Sequence, residues 1–189
     1  MSAAGAPPVI VLVGLMGTGK STVAKLLGAE MGRVCLDTDK EVEAESGMSV
    51  RDIFSSLGEA GFREWESKVL EAALCVETQC IVAAAGGVVV ADSNRRLLNE
   101  WRRAGRVVVI WLSASVDDLV LRTAKGAHRP LLDLDAEAKI HEMAEVRDAL
   151  YKSVADHRID TSGLSPREVC GEILAYLSRR AGADSGMNE

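Results

Sequence analysis

The stretch VIVLVGLMGTGKS, from Val9 to Ser21, decides the fold of this 189-residue chain. Its first five residues are continuously apolar and run into glycine, as expected of a strand buried on both faces of a parallel sheet. A helical pattern follows from about Lys20 to Met31, and Gly32 is suited to the left-handed backbone that commonly ends a helix. The stretch therefore predicts a buried strand, a glycine-rich turn and a helix in direct succession.

The turn in this stretch has the spacing G-x-x-x-x-G-K-S, from Gly14 to Ser21. Its glycines let the backbone curl so that N–H groups point inward at phosphate oxygens, and the helix N-terminus adds partial positive charge. Lys20 can reach the β- and γ-phosphates of a nucleotide, and the Ser21 hydroxyl can coordinate Mg²⁺. A chance glycine turn is the alternative, but the strand before and the helix after are the context that the motif requires. The pattern predicts a site for ATP and Mg²⁺.

Strand-like runs alternate with helical patterns along the rest of the chain. Further strands are expected at 34–36, 81–84, 107–112 and 157–160, and further helices at 59–76, 94–103 and 136–155. Three more helices are expected to begin at the capping signals Ser49, Ser115 and Ser165. Such units indicate parallel strands with right-handed crossovers, whose ligands gather beyond the carboxyl ends of the strands.

Composition limits the domain organisation and the partners. With 48% hydrophobic but only 4% aromatic residues, the chain can bury a sizeable core that aliphatic side chains must fill. We expect a single domain over 1–189, with an ordered core at about 8–180 and a tail that frays from Ala181 onward. The net charge of −6 gives no general attraction for nucleic acid or for an anionic membrane surface.

The apolar run at Val9 is too short for a signal sequence or a membrane span. The four cysteines lack C-x-x-C spacing and a disulfide-dense pattern, and the three histidines lack metal-site spacing. We therefore expect a cytoplasmic protein, a monomer, with neither a nucleic-acid nor a membrane partner.

Two carboxylates follow the second predicted strand. Asp37 and Asp39 are two residues apart, so an extended chain would point both to the same side. If that side faces the phosphate-binding turn, one carboxylate can serve the Mg²⁺ shell and the other can meet an acceptor hydroxyl. Otherwise they are two solvated aspartates of a polar turn, and spacing alone leaves both interpretations open.

A helical arginine and a glycine pair are further candidates. Arg63 could bind a ligand, or could be a surface residue that pairs with Glu66 one helical turn later. Gly86 and Gly87, after the third predicted strand, permit either a close backbone approach to a ligand or a tight turn.

Two more arginines lie farther along the chain. Arg129 falls in a polar, glycine- and proline-containing segment at about 123–136 that we interpret as a lid. An arginine there could close over transferring phosphates or remain solvated. Arg147, four residues before Tyr151, could be a ligand contact or a charge on a helix surface.

Taken together, these residues resemble the shikimate kinase family. The resemblance spans about Val9 to Leu177 and rests on the order and spacing of the motifs. The motifs are G-L-M-G-T-G-K-S at 14–21, L-D-T-D at 36–39, D-I-F at 52–54, G-E at 58–59, F-R-x-x-E at 62–66, G-G at 86–87, R-P-L-L at 129–132 and R-x-x-L-Y at 147–151. The family usually has three glycines after the third strand, whereas the first here is Ala85, whose methyl group fits only without a positive φ.

The resemblance implies an α/β fold of the P-loop NTPase type: a five-stranded parallel sheet of order 2-3-1-4-5, helices on both faces, and a lid. It also implies an ATP-dependent kinase that uses Mg²⁺. The enzyme would transfer the γ-phosphoryl group to the 3-hydroxyl of shikimate, its small-molecule partner, in the route to chorismate and aromatic amino acids.

The resemblance assigns roles to individual residues. Lys20, Asp39 and Arg129 would act in catalysis, and Asp39 is the candidate to take the hydroxyl proton. Ser21 and Asp37 would hold Mg²⁺, the aspartate mostly through water. The nucleotide would contact Gly14, Met16, Gly17, Thr18, Gly19, Lys20, Ser21, Thr22, Arg122 and Arg129, with Arg122 along the adenine. Shikimate would contact Asp39, Arg63, Gly86, Gly87 and Arg147, with Arg63 and Arg147 on its carboxylate and the Gly86 N–H on a hydroxyl.

Two rival interpretations remain. A P-loop kinase for another polyol acid, such as gluconate, would share the phosphate loop, although the arginine pair and Asp39 favour shikimate. A regulatory or scaffold module derived from a kinase would keep the loop and lose the acceptor residues. Asp39, Arg63, Arg129 and Arg147 are all present, which favours the enzyme.

Overall fold

Strands and helices alternate in the computed structural model, which describes residues 9–76, 79–124 and 136–185. The strands are β1 (Val9–Val13), β2 (Val34–Asp37), β3 (Cys80–Ala83), β4 (Val107–Ser113) and β5 (His157–Asp160). The helices are α1 (Lys20–Met31), α2 (Thr38–Ser46), α3 (Val50–Cys75), α4 (Asp92–Arg103), α5 (Val116–Ala124), α6 (Ala136–Val154) and α7 (Pro166–Ser185). Within these described ranges, every helix is too short or too polar to cross a membrane.

The five strands form one parallel sheet of order β2-β3-β1-β4-β5, which confirms the predicted architecture. β1 is central: Ile10 is aligned with Ile81 of β3 on one side and with Val108 of β4 on the other. Because all strands run in one direction, the loops that follow their carboxyl ends emerge at the same edge. The phosphate-binding turn, Asp37 and the glycine pair are thereby brought to one region.

The apolar β1 run is buried because helices cover both faces of the sheet. Val11 and Val13 pack in one cluster with Leu70 of α3, while Ile10 packs in the opposite cluster with Leu27 of α1. Each of these side chains is at most 1% exposed. Successive residues of a strand point to opposite faces, so a continuous apolar run is what a sheet covered on both sides requires.

Three helix starts follow from their capping residues as predicted. The Asp52 N–H donates to Ser49 Oγ at 3.1 Å before α3, and the Asp118 N–H donates to Ser115 Oγ at 3.2 Å before α5. Before α7, the Ser165 N–H donates to the Glu168 carboxylate at 2.7 Å. Side chains at these positions satisfy N–H groups that have no partner inside the helix.

Some boundaries differ from the predictions. Strand β2 ends at Asp37 and helix α2 begins at Thr38, so the prediction that Asp37 and Asp39 lie on one extended strand was wrong. The predicted start of a separate helix at Glu59 is confirmed, because α3 consists of two helical parts joined by a kink at Gly58, whose φ of 68° and ψ of −174° are not helical. Helix α7 continues to Ser185, past Ala181, where we expected a frayed tail. Most of the predicted lid, including Arg129, lies outside the described residues.

Candidate active site

A cavity of about 450 Å³ lies at the carboxyl edge of the sheet. Its wall is formed by the turn after β1, the end of β2, α2, α3, the loop after β3, α5 and α6. The predicted site residues that line it are Met16, Gly17, Gly19, Lys20, Ser21, Thr22, Asp37, Asp39, Arg63, Gly86, Gly87, Arg122 and Arg147. The structure thus brings together residues that are far apart in the chain.

Two predicted nucleotide residues, Gly14 and Thr18, are not among the lining residues. Gly14 has a φ of 143°, and a Cβ placed there would lie 2.1 Å from the Leu112 carbonyl oxygen. Only glycine lets the turn pack this closely on β4. Thr18 is 2% exposed, and its hydroxyl donates to the Leu15 carbonyl at 2.8 Å. Both residues therefore stabilise the shape of the turn without lining the cavity.

Positive charge concentrates where the turn enters α1. Lys20 Nζ donates to the carbonyls of Gly14 and Leu15 at 2.8 and 2.9 Å, which holds the ammonium group against the turn. The N-cap residue Gly19 has no side chain that could accept from the first N–H groups of α1. Amide groups, helix dipole and ammonium group together form a site suited to phosphate oxygens.

The two aspartates reach the same cavity although they belong to different elements. Asp37 is the last residue of β2, and Asp39 lies in the first turn of α2. Thr38, between them, is 1% exposed, and its Oγ1 accepts a hydrogen bond from the Ala85 N–H at 2.8 Å. This bond joins the acidic segment to the loop after β3.

Ala85 adopts no positive φ, so its methyl group is compatible with the turn. Alanine in place of the family's usual first glycine therefore does not strain this turn. Gly87 is under a stricter constraint, since a Cβ there would lie 1.6 Å from Arg63 Nη1. A side chain at position 87 would displace the Arg63 guanidinium group from its place.

Arg63 both pairs with Glu66 and lines the cavity, so the two interpretations of this residue hold together. It pairs with Glu66 on the same helix and with Glu59 at 2.8 Å, and it also lines the cavity. Burial acts to lower the pKa of Arg63, but the two carboxylates outweigh this effect and raise it. The guanidinium group is therefore held charged and oriented at the cavity wall.

Glu66 is the buried partner in this pair, with an exposed fraction of 1%. Burial raises the pKa of its carboxyl group and the negative charge of Asp39 adds to the rise, although Arg63 and Arg147 oppose it. Its Oε1 atom has no hydrogen-bond partner within the described residues, and neither has the Nε atom of Arg63.

Arg122 and Arg147 complete the cationic part of the wall. Arg122 is fixed by Thr161, whose hydroxyl and carbonyl accept its N–H groups at 2.9 and 2.7 Å. Arg147 is 8% exposed and donates to the Gly86 carbonyl at 3.4 Å. Among the described lining residues, four cations (Lys20, Arg63, Arg122, Arg147) face three carboxylates (Asp37, Asp39, Glu66), which suits anionic ligands.

One part of the cavity wall is apolar and was not predicted from the sequence. Phe54 and Phe62 line the cavity with ring centroids 4.7 Å apart, and Val50 lies beside them. Both aromatic residues occur in motifs that carried the resemblance, D-I-F and F-R-x-x-E, and that was the available signal. The cavity therefore offers one apolar surface next to its charged groups.

Comparisons with known proteins agree with this geometry. The family model described as shikimate kinase matches residues 16–178. The chain is 38% identical over 174 residues to a shikimate kinase of Marinomonas sp. (strain MWYL1), covering 91% of this chain and 93% of that protein. It is 41% identical over 171 residues to a shikimate kinase of Pseudomonas paraeruginosa (strain DSM 24068 / PA7), covering 90% and 96%.

Solved structures show the same likeness. A shikimate kinase from Acinetobacter baumannii in complex with shikimate superimposes with a TM-score of 0.85 at 34% identity, covering 92% of this chain and 94% of that one. A gluconokinase from Sinorhizobium meliloti 1021 has a TM-score of 0.59 at 18% identity, covering 97% and 98%, and so shares the fold.

Glu66→Gln should change how stability depends on pH. The unfolded chain ionises this carboxyl at an ordinary pKa near ~4.3, whereas the folded protein releases the proton only at higher pH. Between these values the folded state binds more protons, so rising pH costs the wild type stability. We expect the free energy of unfolding of the wild type, relative to Glu66→Gln, to fall from about pH 4.5 towards neutrality.

Urea unfolding of both proteins at closely spaced pH values measures this difference. Glu71→Gln, at an exposed position of the same helix, supplies the baseline for the same substitution at the surface. A wild-type-minus-Glu66→Gln difference that stays constant across the range would contradict the assignment.

Proposed function

The chain belongs to the shikimate kinase family, and we propose that its cavity transfers the γ-phosphoryl group of ATP to the 3-hydroxyl of shikimate, giving shikimate 3-phosphate. Membership makes the protein an ATP-dependent kinase that uses Mg²⁺ and supplies aromatic amino-acid synthesis. One observation carries the proposal for this chain. The phosphate-binding turn, the aspartates and three arginines line a single cavity.

On the donor side, the turn and α1 would bind the phosphates of ATP, with Lys20 at the β- and γ-phosphates. Arg122, held by Thr161, would lie along the adenine. Ser21 and Asp37 fit Mg²⁺ because both supply hard oxygen atoms, and this ion commonly takes one or two protein ligands alongside substrate phosphates. Bound there, Mg²⁺ would neutralise negative charge on the transferring phosphates.

On the acceptor side, Arg63 and Arg147 would bind the shikimate carboxylate. The planar guanidinium group suits a carboxylate because it can donate two parallel hydrogen bonds. Phe54 and Phe62 supply an apolar surface for the carbon ring of the substrate. Gly86 and Gly87 would approach the substrate through the backbone, where no side chain intervenes.

Asp39 is the group that we assign to the hydroxyl proton. As the hydroxyl oxygen bonds to the γ-phosphorus, the bond from phosphorus to the ADP oxygen breaks and the hydroxyl proton passes to the Asp39 carboxylate. Little covalent chemistry is required in phosphoryl transfer, so positioning and charge neutralisation account for most of the rate increase. Arg129, which lies outside the described residues, would add a cation beside the phosphates.

We further infer that the protein acts as a cytoplasmic monomer whose partner is its small-molecule substrate. The net charge of −6 disfavours nucleic acid and anionic membrane surfaces as partners. Binding a negatively charged substrate then requires placed cations, which Arg63 and Arg147 provide.

Coupled measurement of ADP release tests the function. We expect MgATP turnover that requires added shikimate, with no comparable turnover of gluconate, and NMR of the product should place the new phosphate on the 3-oxygen. Robust gluconate turnover without shikimate turnover would overturn the proposal. A Lys20→Ala variant that still supports growth of cells lacking their own enzyme would favour the regulatory module.

Replacing Arg63 with Ala should weaken shikimate binding and spare ATP. Charge-assisted hydrogen bonds contribute about 1.5–3 kcal/mol, so shikimate affinity should fall roughly 10- to 100-fold. Isothermal titration with each ligand separates the effects.

Arg96→Ala, which truncates a 76% exposed arginine on α4, is the matched control. Because Arg63→Ala leaves Glu66 buried without its partner, Arg63→Ala/Glu66→Gln should be titrated in parallel. Equal losses for both ligands would contradict the assignment.

Replacing Asp39 with Asn should remove most turnover at a modest cost in ATP affinity. The amide cannot accept the hydroxyl proton, and removing such a group typically lowers kcat about 10²- to 10⁴-fold. Steady-state kinetics give kcat, and titration gives the ATP dissociation constant. Asp117→Asn, at an exposed position in the first turn of α5, makes the same substitution at another helix start. Near-normal kcat in the Asp39 variant would refute this role.

A further inference from the structure

The loop from Ala84 to Ala91 holds the Gly86–Gly87 pair, and its carbonyl groups have defined hydrogen-bond donors. Most of these donors come from the loop itself or from α4. They are the Val88 N–H for Ala85 at 3.1 Å, the Val90 N–H for Gly87 at 2.8 Å, Asn94 Nδ2 for Val88 at 3.0 Å, and Arg95 Nη1 for Val89 and Val90 at 2.6 and 2.7 Å. These bonds therefore hold the loop through residues that are near it in the chain.

The Gly86 carbonyl is held by a different helix, α6. It accepts from the Tyr151 hydroxyl and from Arg147 Nη1 at 3.4 Å, both on α6 and more than 60 residues away in the chain. Tyr151 and Arg147 thus share one acceptor, the Gly86 carbonyl. The glycine loop is therefore bonded both to a buried hydroxyl and to an arginine assigned to the substrate carboxylate.

The Tyr151 ring has a rigid support. Its side chain is fully buried, and its ring stacks on Trp111 with centroids 5.9 Å apart and an interplanar angle of 26°. Trp111 is aligned with Val13, the last residue of β1 before Gly14. Burial raises the pKa of Tyr151 further above its ordinary value, at which the hydroxyl is already protonated and can donate at physiological pH.

We propose that Tyr151 is a positioning residue for the acceptor substrate: its hydroxyl fixes the plane of the Gly86–Gly87 peptide, whose carbonyl is also the acceptor for the Arg147 guanidinium group. This inference rests on the proposed function, because it concerns the shikimate half of the same cavity.

Peptide geometry supplies the physical reason. The bond between Gly86 and Gly87 is planar and trans, so fixing the Gly86 carbonyl also fixes the direction of the Gly87 N–H, which points the opposite way. Consecutive glycines would otherwise rotate freely, since neither has a Cβ. Gly87 must also stay clear of Arg63, whose Nη1 lies where its Cβ would be. Tyr151 therefore limits the relative positions of Arg147, the glycine backbone and Arg63.

Tyr151→Phe tests this role because it removes the hydroxyl and keeps the ring on Trp111. We expect the KM for shikimate to rise about tenfold, as for loss of one buried hydrogen bond, while the KM for MgATP changes less than about twofold. Calorimetric titration of shikimate without nucleotide should show the same loss of affinity. Tyr176→Phe is the matched control: this tyrosine stacks on His157 and does not line the cavity, so both KM values should stay unchanged.

An unchanged KM for shikimate in Tyr151→Phe would overturn the inference, as would equal rises in both KM values, which indicate a general structural defect. If Tyr151→Phe does not fold, Trp111→Phe gives a second test, since it weakens the support of the ring and leaves the hydroxyl. It should raise the KM for shikimate in the same selective way, and its failure to do so would also overturn the inference. Absence of shikimate-dependent turnover in the wild type would instead refute the proposed function.

Discussion

The cavity depends on one constraint: the five parallel strands end at the same edge of the sheet. Because β1 lies between β3 and β4, the phosphate-binding turn and the glycine loop must emerge side by side. The alignment of Asp37 with Ala83 brings the acidic segment next to them. Burial of both sheet faces under helices stabilises this arrangement, so loops rich in charge and glycine are held by two clusters of apolar side chains.

The ion pair between Arg63 and Glu66 orients one of the groups that line this cavity. A buried ion pair contributes little to stability, because removing both charges from water costs about as much as their attraction returns. Its effect here is on orientation. An unpaired arginine carries about 2 kcal/mol of rotamer freedom that a ligand would have to restrict. With Glu66 behind it and Glu59 beside it, Arg63 is already directed at the cavity before any ligand binds.

Much of this could be predicted from the sequence, and the exceptions have physical causes. Continuous apolar runs identified the strands, and the glycine spacing identified the phosphate site. Helix α2 was missed because Val42 is its one buried apolar residue among those described, which is too few for a helical stripe. Asp37 and Asp39 were therefore paired by strand alternation, a wrong reason, although both line the cavity. The break expected between two helices before Glu59 is present at Gly58, whose positive φ separates the two helical parts of α3.

The contacts of two neutral hydroxyl groups were not predicted for a different reason, although both residues stand in motifs that carried the resemblance. Thr38 bonds to Ala85 across 47 residues, and Tyr151 bonds to Gly86 across 65, so no local pattern marks either contact. Charged site residues are recognisable because the chemistry of phosphate and carboxylate restricts their type and spacing. A positioning residue is restricted only by where the fold places it. Ala85 is tolerated where the family usually has glycine, because its contact to Thr38 is made by its backbone N–H. Its φ is not positive, so the methyl group fits the turn.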